Sequence, residues 1–208
     1  MALSDFGRRA IGAARLDRAI YAEVEQDTGA TAQALAIVLL AAAGAALGRS
    51  ASVHAGALGA GLIVGVVGWV VWATVCVIVA ARLVPSPRTE VDAGRRFRVL
   101  GFAAAPGILQ AFAAFIPLRV PVLVLAQAGM ILAMVVAICQ IFDVRGTSRV
   151  LAACLIGWIA YMAATFALVT ALGLLPRGGP ETLRAPAAVP TAGYVGVVKP
   201  SGIAPPVE

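Results

Sequence analysis

The sequence predicts an all-α integral membrane protein, a bundle of five transmembrane helices preceded by an amphipathic N-terminal helix at the cytoplasmic interface. Three observations predict it. Of 208 residues, 61% are hydrophobic and only 12% are charged, about half the charged fraction of an ordinary soluble domain. The apolar residues stand in long blocks, and blocks of roughly 18 or more read as membrane-spanning helices. The charges fall between those blocks. A β-barrel is excluded by pattern, because barrel strands alternate polar and apolar over about ten residues. With the backbone obliged to satisfy itself in lipid, helices are what remains.

The chain divides into a charged segment at 1–29, a transmembrane domain at 30–175 and a Pro/Gly-rich tail at 176–208. Residues 1–26 contain no apolar core of the kind a cleaved signal peptide needs. Leu16, Ile20 and Val24 repeat at i, i+4, i+8, with Asp17, Arg18, Glu23 and Glu25 over the remaining surface. That spacing predicts an amphipathic helix lying at the membrane interface, with Arg8, Arg9 and Arg15 turned to anionic head groups. Asp27 or Thr28 is placed to cap the first span, and Gly29 to permit the turn into it.

The spans are expected at Ala30–Leu47, Leu58–Leu83, Val99–Ile116, Val120–Phe142 and Val150–Leu175. Pro117, Leu118 and Arg119 leave only a short turn between the third and fourth, which must form an antiparallel hairpin. Pro106 lies well inside the third span, where a missing N–H and a ring clash predict a kink or hinge. Ala57, Gly61, Gly65 and Gly68 in the second span, and Gly44 and Gly48 in the first, form small-residue faces for close helix contact. That contact could lie within one chain or between copies. Trp69, Trp72, Trp158 and Tyr161 sit inside spans and read as packing against those faces. The tail from Pro176 has too little apolar mass for a domain.

Eleven of the sixteen Lys and Arg residues fall on the side that holds the N-terminal segment and the loops after the second and fourth spans. The positive-inside rule then places the N-terminus in the cytoplasm and, after five spans, the C-terminus outside. It also accounts for the net charge of +6 without nucleic acid. The cysteines, Cys76, Cys139 and Cys154, have no paired spacing and read as small buried hydrophobes. No span carries Asp, Glu, Lys or Arg at its middle, a residue class that ion-coupled transport normally needs. No metal-ligand spacing, nucleophile motif or phosphate loop appears. No catalytic residue, cofactor or metal is therefore assigned. The intramembrane Gln110, Gln127 and Gln140 are expected to bond between helices. His54 falls in a short outer loop.

Four stretches in order, LDRAIYAEVEQDTGATAQA, GWVVWA, FRVLGFAAAPGIL and AICQIFDVRGTSRVLAACLIGW, resemble the bacterial branch of the Yip family, membrane proteins named for Ypt/Rab interaction. The resemblance covers Arg15 to Leu172. It goes with five spans, a cytoplasmic N-terminus and a bacterial inner-membrane location, and the first functional reading is a non-enzymatic membrane protein that organises membrane proteins or lipids. The resemblance supplies no catalytic residues. Eukaryotic members bind small GTPases through a longer N-terminal region than this chain has. The candidate contact face for membrane lipids, other membrane proteins or a second copy comprises Arg15, Asp17, Arg18, Tyr21, Glu23, Glu25, Arg95, Arg96, Arg98, Asp143 and Arg145. The alternative is a small transporter or channel for a neutral solute, with Pro106 as hinge and Gln110 and Gln127 along the path.

Overall fold

Long helices that are apolar on every face can be covered by protein on one side and by lipid on the other, and this bundle uses both. The computed structural model describes residues 2–49, 55–84, 92–114, 119–144 and 147–172. In order these form α1 (Ala2–Ala14), α2 (Arg18–Gln26), α3 (Ala30–Arg49), α4 (Ala55–Leu83), α5 (Ala93–Phe102), a 3-10 segment (Ala105–Ala114), α6 (Arg119–Phe142) and α7 (Thr147–Ala171). Among the described residues there is no strand. Five spans are long and apolar enough to cross a membrane: α3, α4, α5 with the 3-10 segment, α6 and α7. The predicted tail, His54, Arg145 and the turn at Pro117–Leu118 lie outside the described residues.

The spans close a ring. α3 packs on α4, α4 on α7, α7 on α6, α6 on the 3-10 segment, and that segment back on α3. The hairpin expected between the third and fourth spans is present as the packing of the 3-10 segment on α6. Outside the ring, Leu35, Ile63, Val67, Val124, Leu125, Ile159 and Phe166 are exposed, an apolar surface far larger than a soluble protein tolerates. Lipid is the medium that suits it.

Small residues explain the close approach of the helices. A Cβ added at Gly65 would stand 2.8 Å from the Ala42 Cβ, and one at Gly61 would stand 2.7 Å from that of Ala46. These glycines therefore bring α4 against α3. Gly44 does the same toward the 3-10 segment, where its Cβ would lie 3.1 Å from the Ile108 carbonyl oxygen. The small-residue faces are thus used within the chain. Tyr161 covers Gly68, and Trp72 lies beside Gly157 while donating its indole N–H to the Cys154 carbonyl at 3.2 Å. Tyr161 thus packs on the face the sequence expected, whereas Trp72 packs on Gly157 of α7 and Trp69 meets Phe97 edge to face.

The third span departs from expectation at its start, and it breaks where Pro106 predicts a kink. It begins at Ala93, not Val99, so Arg95, Arg96 and Arg98 belong to the first turns of a helix and not to a loop. Asp92 makes that start possible: its carboxylate accepts the Arg95 backbone N–H at 3.2 Å. The α-helix stops at Phe102, a turn follows at Ala103 and Ala104, and the chain continues as ten residues of 3-10 helix. Pro106 cannot donate to Phe102, so an α-helix could not have run through unbroken. The span is also the innermost, with 67% of its most apolar stretch buried against 28% for α7. Irregular backbone at membrane depth is tolerated where protein encloses it.

Candidate functional site: the charged layer at the α1–α2 end

The charged N-terminal segment forms two helices, and the predicted amphipathic helix is the second of them. Leu16 adopts φ 65°, the left-handed conformation that ends helices. Its N–H bonds the Ala13 carbonyl and the Asp17 N–H bonds that of Gly12, both at 3.0 Å. Asp17 then caps α2, its carboxylate accepting the Ala19 N–H at 2.9 Å. The end of α6 repeats the motif: Asp143 has φ 53°, and the Val144 N–H reaches the Cys139 carbonyl at 3.1 Å. Both left-handed residues are non-glycine, and each such residue carries a strain of about 1 kcal/mol or more.

α1 folds over α2 and is held by charge. The Arg8 guanidinium donates to both oxygens of Glu23 at 2.9 and 2.7 Å. Arg9, 9% exposed, pairs with Glu23 at 2.8 Å and Asp27 at 2.7 Å, and donates to the Gln33 side chain at 3.1 Å. The Arg8 hydrogen bond, helped by Arg9, holds the Glu23 carboxyl down at about 2. The Arg9 hydrogen bond also lowers that of Asp27. Asp27 accepts the Gly29 N–H at 2.9 Å and so fixes the turn into α3. Arg8 and Arg9, expected at lipid head groups, are engaged with protein carboxylates.

The apolar stripe of α2 is likewise covered by protein. Ile20 and Val24 are buried, and Tyr21 is 0% exposed with its hydroxyl donating to the Ala13 carbonyl at 3.2 Å. Burial pushes the Tyr21 phenol above its ordinary range. α2 packs on α5 and α6, and Arg98 secures it. From a position 6% exposed, that guanidinium donates through Nε to the Val24 carbonyl at 3.2 Å and through Nη2 to that of Glu25 at 2.8 Å. These carbonyls belong to the last turn of α2, which has no intrahelical donors for them and whose dipole favours a cation. At the other end of the bundle Arg119 does the same for α3, donating to the Arg49 carbonyl at 2.7 Å. The Glu25 carboxylate, 5% exposed, accepts from Gln140 at 2.8 Å and lies 3.8 Å from Arg95. A buried carboxylate is tolerable only with such partners.

The structure therefore divides the expected contact face. Tyr21, Glu25 and Arg98 are buried and make internal contacts, so they are withdrawn from it. Glu23 is committed to Arg8 and Arg9. Arg96 faces the side of the bundle, lining a groove between α4 and α5. Arg15, Asp17, Arg18, Arg95 and Asp143 are exposed. Two of these, Arg18 and Asp143, line one polar recess of about 120 Å3 together with Gln140. Arg145 lies outside the described residues. Arg9, Asp27 and Gln140 each carry a signal in the sequence, but nothing local joins them, and Gln33 carries none.

Pro106 is buried at the start of the 3-10 segment. Beside it Gln110, 3% exposed, accepts from Arg49 at 3.3 Å and approaches the Met130 sulfur at 3.5 Å. Gln110, Ala104, Trp72 and Tyr161 line a cavity of about 20 Å3 at the centre of the ring, room for about one water molecule. Gln127 does not line that cavity. Comparison with protein-family models, curated proteins and solved structures gives no match.

Proposed function

We propose that this chain is a non-enzymatic membrane protein of the Yip type, set in a bacterial cytoplasmic membrane with its N-terminus inside, that organises membrane-protein partners and lipids through its charged layer. The observation that carries this reading is the internal locking of that layer. Arg8, Arg9, Glu23, Asp27 and Arg98 are spent on holding α1 and α2 to the bundle. The exposed Arg15, Asp17, Arg18 and Asp143 are thereby displayed on a fixed frame. A frame ordered in advance lowers the entropic cost of binding a partner. Mixed charge on such a surface favours specificity and encounter rate over raw affinity.

The test is extraction of the tagged protein from its native membrane in a polymer, with mass spectrometry of what accompanies it. A stoichiometric membrane protein is expected, and it should be depleted from the double variant Arg15→Glu, Arg18→Glu. Absence of any stoichiometric polypeptide would sink the reading. Reversing Arg95, Arg96 and Arg98 together is the wrong experiment, because removing Arg98 would release α2.

The broken inner span favours a second reading, a transporter or channel for a small neutral solute. Irregular backbone beside a cavity is a feature of transport proteins. Here the cavity holds about one water, so passage requires the ring to open, with Pro106 as hinge. Solute flux in liposomes that falls for Pro106→Ala would support it; flux equal to that of empty liposomes over a broad panel would reject it.

A further inference from the structure

We infer that the groove between α4 and α5 is a binding site for one anionic glycerophospholipid, with the acyl chain along α4 and the phosphate at Arg96. The groove encloses about 410 Å3, within the range of small-molecule sites. Its wall on α4 is Trp69, Val70, Thr74 and Ile78, and its wall on α5 includes Arg96 and Phe97. From Trp69 to Ile78 the helix rises about 14 Å, close to half of a hydrocarbon core of about 30 Å. Val70 and Ile78, at 48% and 53% exposure, stand on the lipid-facing side. The groove is therefore open to the bilayer and of a depth that one leaflet's chain fills.

The polar groups choose the head group. Arg96 sits in the first turns of α5, at the α1–α2 end of the bundle. Its Nε is buried and has no hydrogen-bond partner, and no carboxylate pairs with it among the described residues. Trp69 is 8% exposed, and its indole N–H also has no acceptor. Among the side chains that line the groove Arg96 alone is charged, and Arg96 and Trp69 each keep one donor without a partner. A ligand that brings acceptor oxygens and negative charge on an apolar chain suits both this cation and the apolar walls. An anionic phospholipid does so, because guanidinium and phosphate form charge-assisted bonds and a basic side chain at this depth attracts anionic lipid. This site extends the lipid half of the proposed function and stands on different residues from the partner face. Loss of one leaves the other intact.

The full-length protein, purified in a mild detergent and delipidated, is titrated with dioleoylphosphatidylglycerol or dioleoylphosphatidylcholine and observed by native mass spectrometry. The expected result is one phosphatidylglycerol retained per chain in preference to phosphatidylcholine. Arg96→Gln should lower its apparent affinity about tenfold. Thr74→Trp, which fills the groove from an exposed position without touching the core, should abolish the preference. Arg149→Gln removes an exposed charge at the start of α7 and should leave retention unchanged. Equal retention of both lipids, equal losses in Arg96→Gln and Arg149→Gln, or unchanged retention in Thr74→Trp would each overturn the site. So would a stable dimer that binds no lipid. The readout is lipid mass on the purified chain, so a negative result here is separate from failure to find a protein partner.

Discussion

Replacing Arg98 with Met tests whether the charged layer is held to the bundle as described. Methionine keeps an unbranched apolar stem of similar reach and removes the guanidinium. Two carbonyls, those of Val24 and Glu25, then lose their donor. A buried acceptor left unsatisfied costs about 1–3 kcal/mol. Two would cost about 2–6 kcal/mol, and the neighbouring exposed Gln26 lets water reach the helix end, so the lower half of that range applies. A loss of about 2–4 kcal/mol in α2 docking raises its opening equilibrium roughly thirtyfold to a thousandfold, at tenfold per 1.4 kcal/mol. Hydrogen–deuterium exchange of the protein in nanodiscs measures this directly. Amides of Arg18–Gln26 should lose protection by that factor, while those of α4 and α7, to which Arg98 makes no hydrogen bond among the described residues, should keep theirs. Arg98→Lys, with one compact ammonium in place of a fork, should fall between. Unchanged protection in α2 would refute the capping role. Equal loss across all spans would show that Arg98 supports the whole bundle and not the docking of α2.

Acid should release α1. The Glu23 carboxyl is held down to about 2 from 4.5 by Arg8 and Arg9. A carboxylate depressed in the folded state stabilises fully above its unfolded value and loses that contribution as pH falls through the folded one. The clasp should therefore persist at pH 5 and weaken progressively between 4.5 and 2. Spin labels at Gly7→Cys and Ala19→Cys would report it as a broadened distance distribution, and an unchanged distribution at pH 2 would contradict the assignment. Gly65→Ala should destabilise the bundle by about 1–3 kcal/mol through overpacking, since its Cβ would meet both Ala42 Cβ at 2.8 Å and Ala42 Cα at 3.1 Å. Gly59→Ala meets nothing within 4 Å and should leave stability unchanged or slightly higher. Thermal unfolding in one detergent compares the pair, and equal midpoints would remove the close-packing argument.

The spans were legible because membrane insertion is a demand of composition over about twenty residues, and short-range pattern suffices to show it. Four of the five appear within a few residues of where the apolar blocks place them. The start of the third was misplaced because Arg95, Arg96 and Arg98 look like loop charges. A helix begins there because Asp92 caps it and Arg98 finds carbonyls on α2. The break at Arg15–Asp17 had no marker, since a leucine in the left-handed region carries no signature that glycine or asparagine would have given. Least legible was the polar lattice. Arg9 meets Gln33 across 24 positions, and Gln140 meets Glu25 across 115. Such pairs obey no local period, so a charged face seen in sequence cannot be divided into charges that bind a partner and charges that bind the fold.

Arg95, Arg96 and Arg98 show why that division matters. All three count equally in the charge tally that the positive-inside rule uses. A helix turns by about 100° per residue, so neighbours in sequence point to different surroundings. Arg95 is exposed and lies 3.8 Å from the Glu25 carboxylate. Arg96 lines the groove with its Nε unpartnered. Arg98 is buried and closes the end of α2. One short basic run thus meets the surface of the charged layer, the lipid-facing groove and the protein interior. Substituting the run as a block would mix three effects with different readouts: partner recovery, lipid retention and α2 protection. Single substitutions separate them. An Arg96 change that left α2 protected but lost the lipid, beside an Arg98 change that did the reverse, would establish that the topology signal also builds the sites.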